Sequence, residues 1–295
     1  MVIKMIIGSH VRFKNDQLLG SVNESLSYGS NAFMFYTGAP QNTVRSSIND
    51  EYTFLALNKM KENNISLENV ICHAPYIINL ANNMEPEKYE FSIEFLRKEL
   101  DRCKQMQIKY IVLHPGSAVK HDKVTAISNI INGLNKVIRE DDVTTILLET
   151  MAGKGTEIGS KMDELWSIIK NIELKDHIGV CLDTCHLNDS GVDLKEFDRY
   201  LELFNKYIGI DKIKCIHIND SKNALGSHKD RHENIGYGTI GFDTLMNIIN
   251  HPKLKDVPKI LETPYINDKP PYKEEIAMIK SGTFNGNLIM DVINN

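Results

Sequence analysis

The sequence lacks several features that mark common functional classes. Its 295 residues include five cysteines and no CxxC pair, which argues against a zinc knuckle and favours buried thiols in a reducing compartment. No run approaches the ~20 apolar residues that span a bilayer, and Lys4 interrupts the apolar N-terminus, so we expect no membrane anchor and no signal peptide. Neither GxGxxG nor the phosphate loop GxxxxGK(S/T) occurs.

An excess of positive charge is also missing. The chain has 34 Lys and Arg against 39 Asp and Glu, for a formal net charge of −5. Proteins that hold DNA through a general basic surface are normally positive. A site for a polyanion must therefore be local, or must use charge that the sequence does not encode. No linker rich in Pro, Gly or Ser divides the chain, so we expect one domain over residues 1–295.

What the sequence does contain is a recurring unit: a short β-branched run, a polar turn and a helical pattern. The predicted strands are Val2–Gly8, Ala32–Tyr36, Asn69–His73, Tyr110–His114, Thr144–Glu149, Ile178–Asp183, Lys214–Ile218 and Lys259–Glu262. Helical spacing lies between most of them, as in Glu87–Gln105 and Val124–Arg139. Alternating strands and helices imply parallel βαβ units, and eight such strands favour an α/β protein with a (β/α)8 barrel over an open sheet.

A histidine or a carboxylate ends six of these strands. The six residues are His73, His114, Glu149, Asp183, His217 and Glu262. Functional residues of such barrels gather at the carboxyl ends of the strands, so we expect these side chains to share one mouth. Strand side chains alternate between faces, so the residues two positions earlier should fill the barrel interior. Those residues are Ile71, Val112, Leu147, Cys181, Cys215 and Ile260.

Two further segments extend this set towards a metal centre. His186 follows Asp183 by three positions, and the loop after the seventh strand carries Asp230 and His232. Nine buried polar groups without a cation would be costly. Mixed histidine and carboxylate ligands suit Zn or Mn, and Fe less well, but not Ca or Mg. Nine ligands exceed the four that one zinc takes. We therefore expect two or three ions.

Other residues are weaker candidates for the site. His10 ends the first predicted strand segment and could support the centre or contact substrate. Lys222, Lys229 and Arg231 flank the Asp230 loop and could grip a phosphate, although such clusters are usually solvated surface. The glycine-rich segment AGKGTEIG predicts a loop that approaches the substrate.

These residues lie in segments that resemble the endonuclease IV family of apurinic/apyrimidinic (AP) endonucleases, over about residues 3–280. The segments are CHAPYIINLA, LHPGS, LLETMAGKG, GVCLDTCHLNDSG, HINDSK, DRHENIGYGTIG and ILETP. The resemblance implies a xylose-isomerase-like TIM barrel with three Zn²⁺ per chain, Mn²⁺ being an alternative at some sites. It implies that His73 and His114 bind one zinc and that Asp183, His217 and Glu262 bind a second. Glu149 would bridge these two ions. His186, Asp230 and His232 would bind a third.

The resemblance also implies an activity, that of a base excision repair enzyme. Family members cut double-stranded DNA on the 5′ side of an abasic site, leave a 3′-hydroxyl and remove groups that block 3′ ends. Glu149 and Glu262 would be catalytic by orienting the attacking water and the metals. Three Zn²⁺ would change the formal net charge from −5 to about +1, which resolves the scarcity of positive charge. Family precedent implies a monomer. The cysteine pattern and the lack of a signal peptide or apolar span favour an intracellular protein without a membrane partner, with cytoplasm, nucleus and virus particle left open.

DNA contacts follow from the resemblance as well. Tyr76 and Ile77 match the family's wedge loop, which fills the gap left by an extruded nucleotide, and His10, Lys229 and Arg231 join them as candidate contacts. The family usually places an arginine in a second loop to enter the duplex. In the corresponding segment TGAPQNTVR the arginine is Arg45, which comes late and follows Val44.

Three alternatives stay open at this point. Sugar isomerases and epimerases share the barrel and its strand-end ligands, but they use one or two metals and do not need His186, Asp230 and His232 together. A lesion-binding protein without catalysis would have no need of a bridging carboxylate. A metal-stabilised barrel with another substrate would bind zinc without affinity for DNA.

Overall fold

A computed structural model describes residues 5–294, so the first three residues of the predicted strand Val2–Gly8 lie outside the described residues. The strands of the described part are β1 (Ile7–His10), β2 (Ala32–Phe35), β3 (Val70–His73), β4 (Tyr110–Leu113), β5 (Thr145–Glu149), β6 (Ile178–Asp183), β7 (Ile213–His217), β8 (Asp220–Ser221), β9 (His232–Glu233) and β10 (Lys259–Leu261). Its helices are α1 (Gln17–Ser27), α2 (Asp50–Glu62), α3 (Pro86–Gln105), α4 (Lys123–Val137), α5 (Met162–Ile169), α6 (Thr184–Ser190), α7 (Phe197–Tyr207), α8 (Phe242–Ile249), α9 (Tyr272–Ser281) and α10 (Leu288–Asn294).

Eight of the strands form a closed parallel barrel. They pair in the order β1-β10-β7-β6-β5-β4-β3-β2, with helices between successive strands, so the predicted (β/α)8 barrel is confirmed. The short strands β8 and β9 pair antiparallel outside the barrel, with Ser221 opposite His232. This hairpin carries the loop of residues 222–231, which brings Asp230 to the mouth.

A layer of buried side chains fills the barrel interior. Its members are Ala32, Met34, Ile71, Val112, Leu147, Cys181, Cys215 and Ile260. The six interior residues predicted from strand alternation all belong to this layer, so the predicted phase is confirmed. Side chains two residues apart on a strand share a face. The candidate ligands two positions after these interior residues therefore also point towards the barrel axis.

The helices cover the barrel with one apolar face each. In α4, Asp122 precedes the helix and its side chain accepts a hydrogen bond from the Thr125 N–H, which satisfies an otherwise free donor at the helix start. Ala126, Ile130 and Leu134 then recur at helical spacing and are fully buried. None of the helices in residues 5–294 has both the length and the apolar character that crossing a membrane requires.

The first strand lies later in the chain than its sequence predicts. It covers Ile7–His10, because Gly8 pairs with Ala32 on one side and with Ile260 on the other. A Cβ on Gly8 would lie 1.7 Å from the Ala32 carbonyl oxygen, so this close approach requires glycine. Smaller shifts occur in β4 and β10, which end one residue early and leave His114 and Glu262 just beyond their strands.

Candidate metal centre

Six side chains from the strand ends meet at the mouth of the barrel, and we call them the inner set. They are His73, His114, Glu149, Asp183, His217 and Glu262. Glu149 lies between the others: its Oε2 is 3.3 Å from His73 Nε2 and 3.1 Å from His114 Nε2. Its Oε1 is 3.1 Å from His217 Nδ1, which in turn lies 3.0 Å from Glu262 Oε2. One carboxylate therefore joins two groups of ligand atoms.

Burial and neighbouring charges shift the pKa values of the inner set in opposite directions, and the charges dominate. Burial by itself raises the pKa of Glu149, but the imidazoles of His217 and His114 hold that pKa well below its ordinary range. Burial disfavours a charged His217, yet its neighbours, including Glu262 and Glu149, raise its pKa well above the usual value. Without a cation this cluster holds protons, so binding a cation must displace them.

Three residues form a second group, which we call the loop set: His186, Asp230 and His232. Asp183 precedes α6 and its side chain accepts a hydrogen bond of 2.7 Å from the His186 N–H, so one helical start carries two candidate ligands. His186 Nε2 is 3.0 Å from Asp230 Oδ1, and His232 Nε2 is 3.7 Å from the same oxygen. His232 Nε2 also lies 3.6 Å from Asp183 Oδ2, so the two sets adjoin.

The donor atoms fit divalent cations. His232 Nε2, which faces Asp183 and Asp230, is buried and has no hydrogen-bond partner, so a coordinating atom is left unsatisfied in the protein itself. Ligand atoms lie within 4.8 Å of one another in five clusters of the described residues. Three contain only predicted ligands: His73 with His114 and Glu149; Glu149 with Asp183, His217 and Glu262; and Asp183 with His186 and His232. The other two include buried thiols: Cys181 with Cys215 and His217, and Cys185 with Asp230 and His232. The structure thus brings all nine predicted ligands to one mouth.

Backbone carbonyls orient three of the imidazoles. The Nδ1 atoms of His73, His186 and His232 donate to the carbonyl oxygens of Ala74, Thr150 and Glu262, over 2.8, 2.8 and 3.1 Å. Each ring therefore turns its Nε2 towards the centre. Such partners fix the tautomer and the direction of a metal-binding histidine.

Asn219 belongs to the candidate site, although the sequence analysis did not single it out. Its Nδ2 donates to Asp183 Oδ2 over 2.8 Å, and its Oδ1 accepts from the Glu262 N–H over 2.9 Å. It therefore fixes two ligand candidates from neighbouring strands. The only available signal was its place two residues after His217 in HIND.

Comparisons with known proteins agree with this architecture. The family described as a xylose isomerase-like TIM barrel matches residues 22–282. Proteins named "Probable endonuclease 4" from Oceanobacillus iheyensis and Enterococcus faecalis are 49% and 50% identical, covering 96% and 97% of this chain and 97% and 98% of their own. The crystal structure of endonuclease IV from Thermus thermophilus matches with a TM-score of 0.79 and 26% identity, over 94% of this chain and 98% of that one.

The chain belongs to the endonuclease IV family. A D-tagatose 3-epimerase-like protein also matches, with a TM-score of 0.67 and 18% identity over 97% of this chain and 98% of that one. That likeness shows the shared barrel fold alone.

The rim of this endonuclease IV family barrel carries a cavity of about 400 Å³ beside the centre. Tyr76 lines it together with His114, Lys154 and Asp230. The Tyr76 side chain is 53% exposed, whereas Ile77 is half-buried and packs against the hydrophobic core. The two predicted wedge residues therefore have different surroundings. Lys154 comes from the glycine-rich loop, which does reach the mouth.

Arg45 does not project from its loop in this structure. Its side chain is 8% exposed and forms a 2.7 Å ion pair with the buried Glu99. The guanidinium also packs over the Phe95 ring, 5.1 Å from its centroid. Val44 is exposed at this loop instead. A buried carboxylate needs a partner, and Arg45 satisfies it.

The remaining predicted DNA contacts differ in burial: one is half-buried and two are exposed. His10 is half-buried and its ring contacts the Tyr36 ring at a tilt of 50°, and Tyr36 itself contacts His73. Burial lowers the pKa of His10 to about 4, so it is neutral near pH 7. Lys229 and Arg231 are exposed on the Asp230 loop.

Proposed function

We propose that this protein is an AP endonuclease that hydrolyses the phosphodiester 5′ to abasic sites, leaves a 3′-hydroxyl and removes groups that block 3′ ends. The observation that carries the proposal is Glu149, a buried carboxylate shared by two groups of ligand atoms, with the loop set beside it. Nine histidine and carboxylate ligands in this arrangement suit three Zn²⁺ ions, with Mn²⁺ as an alternative at some sites. Residues 1–295 would act as one catalytic domain and as a monomer.

The proposed ligand assignment follows the contacts. His73, His114 and Glu149 would hold one ion, and Glu149, Asp183, His217 and Glu262 would hold a second. His186, Asp230 and His232 would hold the third. When bound, zinc lowers the pKa of a water molecule to about 7 and neutralises phosphate charge.

The side chains have separate tasks in the proposed reaction. Glu149 stays ionised, because His217 and His114 hold its pKa low, and its two oxygens keep both groups of ligands in register. Glu262 is only partly buried, so it faces the opening and can accept a hydrogen bond from the attacking water. Orienting that water towards phosphorus lowers the entropic part of the barrier.

The rim supplies groups that suit damaged DNA. Lys229 and Arg231 are exposed next to Asp230, where they would contact phosphates beside the scissile bond. The exposed Tyr76 ring would stack in the space of the missing base. The sugar isomerase or epimerase alternative is not favoured, since an enzyme that uses one or two ions does not need the loop set as ligands.

The test uses the zinc-loaded protein and a duplex with one abasic analogue, beside the same duplex intact. A single cut 5′ to the analogue, with three zinc ions per chain, is the expected result. Loaded protein that leaves both duplexes uncut would contradict the proposal and favour a sugar substrate or binding without catalysis. Glu262→Gln should still bind the abasic duplex and lose most cleavage, and full activity would remove its role.

A further inference from the structure

Asp189 is a buried carboxylate that the proposed reaction does not use. It stands near the end of α6, three residues after His186, and is fully buried. Its Oδ1 accepts hydrogen bonds from Ser221 Oγ at 2.7 Å and Asn188 Nδ2 at 3.0 Å. Its Oδ2 accepts from Asn223 Nδ2 and from the Asp230 N–H, both at 3.0 Å. Four donors occupy the carboxylate, so it is an anchor and not a metal ligand.

Backbone hydrogen bonds also join the end of α6 to the loop of residues 222–231. The carbonyl oxygens of Asp189 and Asn188 accept from the N–H groups of His228 and Gly226, each over 2.9 Å. The end of α6 is therefore joined to the 222–231 loop along several residues. The bond to the Asp230 N–H is the one that reaches a loop-set residue directly.

Hydrophobic packing does not define the shape of this loop, because none of the side chains in residues 222–231 is buried. His228 and Asp230 adopt left-handed backbone conformations, with φ of +56° and +54°, which non-glycine residues adopt at a cost. The flanking strands β8 and β9 are two residues long each. Polar anchors must therefore keep Asp230 in place.

We propose that Asp189 is a positioning residue that builds the third metal site, because it holds Asp230 at His186. The inference rests on the proposed function, which makes the loop set a metal site. One short helix carries both the ligand His186 and the anchor Asp189, so the 3.0 Å approach of His186 Nε2 to Asp230 Oδ1 depends on that helix. The inner set stands at the ends of the barrel strands, so its positions do not depend on Asp189.

The test compares zinc binding by Asp189→Ala, Asp189→Asn and the unaltered protein at buffered free zinc concentrations. Asp189→Ala should weaken one ion of three by about 10–100-fold, the range for loss of an outer partner, and leave two ions unchanged. Asp189→Asn should restore part of that affinity, because its amide oxygen still accepts from the Asp230 N–H. Asp122→Ala, which removes an exposed carboxylate from the start of α4, is the matched control and should bind zinc normally.

The outcomes distinguish a failure of the role proposed for Asp189 from a failure of the three-ion centre. Unaltered protein that binds only two ions at saturating zinc would contradict the three-ion centre of the proposed function. Three ions of normal affinity in Asp189→Ala would overturn the role of Asp189, and so would equal weakening of all three. Should Asp189→Ala not fold, Asn223→Ala removes a neighbouring bond to the same carboxylate. That variant should weaken the same single ion less, and unchanged affinity would overturn the inference.

Discussion

The inner set and the loop set reach one mouth by different means. The inner set stands at or just beyond the ends of barrel strands whose ladders run on both sides. The loop set depends on the short helix α6 and on a loop without a buried side chain. The carboxylates that join the members of each set differ in burial: the Glu149 side chain is 1% exposed and that of Asp230 is 32% exposed. Barrel closure thus builds one part of the centre, and a few polar contacts build the other.

This difference has an electrostatic consequence. Charges interact more strongly in a buried site than beside water, and salt screens exposed charges more. The inner ions should therefore exchange more slowly than the ion on the loop set. The variants below test that division, from the largest expected effect to the smallest.

Glu149→Ala removes the shared carboxylate and should cause the largest loss. We expect both inner ions to be lost and cleavage of an abasic duplex to fall by more than about 100-fold, beyond the loss of an outer partner. Metal analysis of the purified variant and single-turnover cleavage measure the two effects. Retention of both inner ions would show that Glu149 does not bridge them.

His186→Ala should affect the loop set alone. We expect about one ion fewer per chain, since the loss leaves Asp230 and His232 without their partner on α6. His251→Ala is the matched control, because His251 pairs with Asp198 and takes no part in either set. Unchanged zinc content in His186→Ala would remove the distinction between the two sets.

Tyr76→Ala should weaken binding without reducing metal content. The exposed ring can stack in a gap in the duplex, so affinity for abasic DNA should fall by roughly 1–3 kcal/mol, and less for intact DNA. Ile77→Ala is the matched comparison, because its half-buried side chain packs on the core and should mainly lower stability. Titration of both duplexes measures the difference. Equal losses on the two duplexes would mark Tyr76 as a general contact.

Glu275 lies between the segment that carries Glu262 of the inner set and the segment that carries His232 of the loop set. We expect it to give the smallest effect, a dependence of folding stability on pH. Its carboxylate accepts from Thr263 Oγ1, next to Glu262, and from the Ile235 N–H, three residues after His232. Burial raises the pKa of Glu275 from 4.5 to about 7. The folded state therefore binds this proton more tightly than the unfolded state, and its contribution to stability is lost as pH rises from about 4.5 through 7.

Unfolding by denaturant of the metal-free protein checks the sign. The free energy of unfolding should fall with rising pH in that window for the unaltered protein, relative to Glu275→Gln, which cannot ionise. Parallel curves for the two proteins would mean that Glu275 does not titrate there.

Much of the fold was predictable because its signals are local. Alternation along β6 and β7 placed Cys181 and Cys215 inside the barrel, and the same alternation placed Asp183 and His217 at its mouth. The predicted end of the first strand at Gly8 was wrong, because Ser9 and His10 also pair with the neighbouring strand β2. Asn219 and Asp189 were missed because each acts on a residue from a distant segment.

The sequence by itself determined the βα alternation, the phase of the strands and the ligand types at their ends, since period and residue chemistry are properties of neighbouring residues. Only the tertiary structure decided which partner each polar group takes. Arg45 could have projected from its loop, yet it pairs with Glu99, 54 positions away, because a buried carboxylate without a counter-ion would be costly. Asp230 reaches His186 because Asp189 holds its backbone, and that contact exists only once α6 and the loop have met.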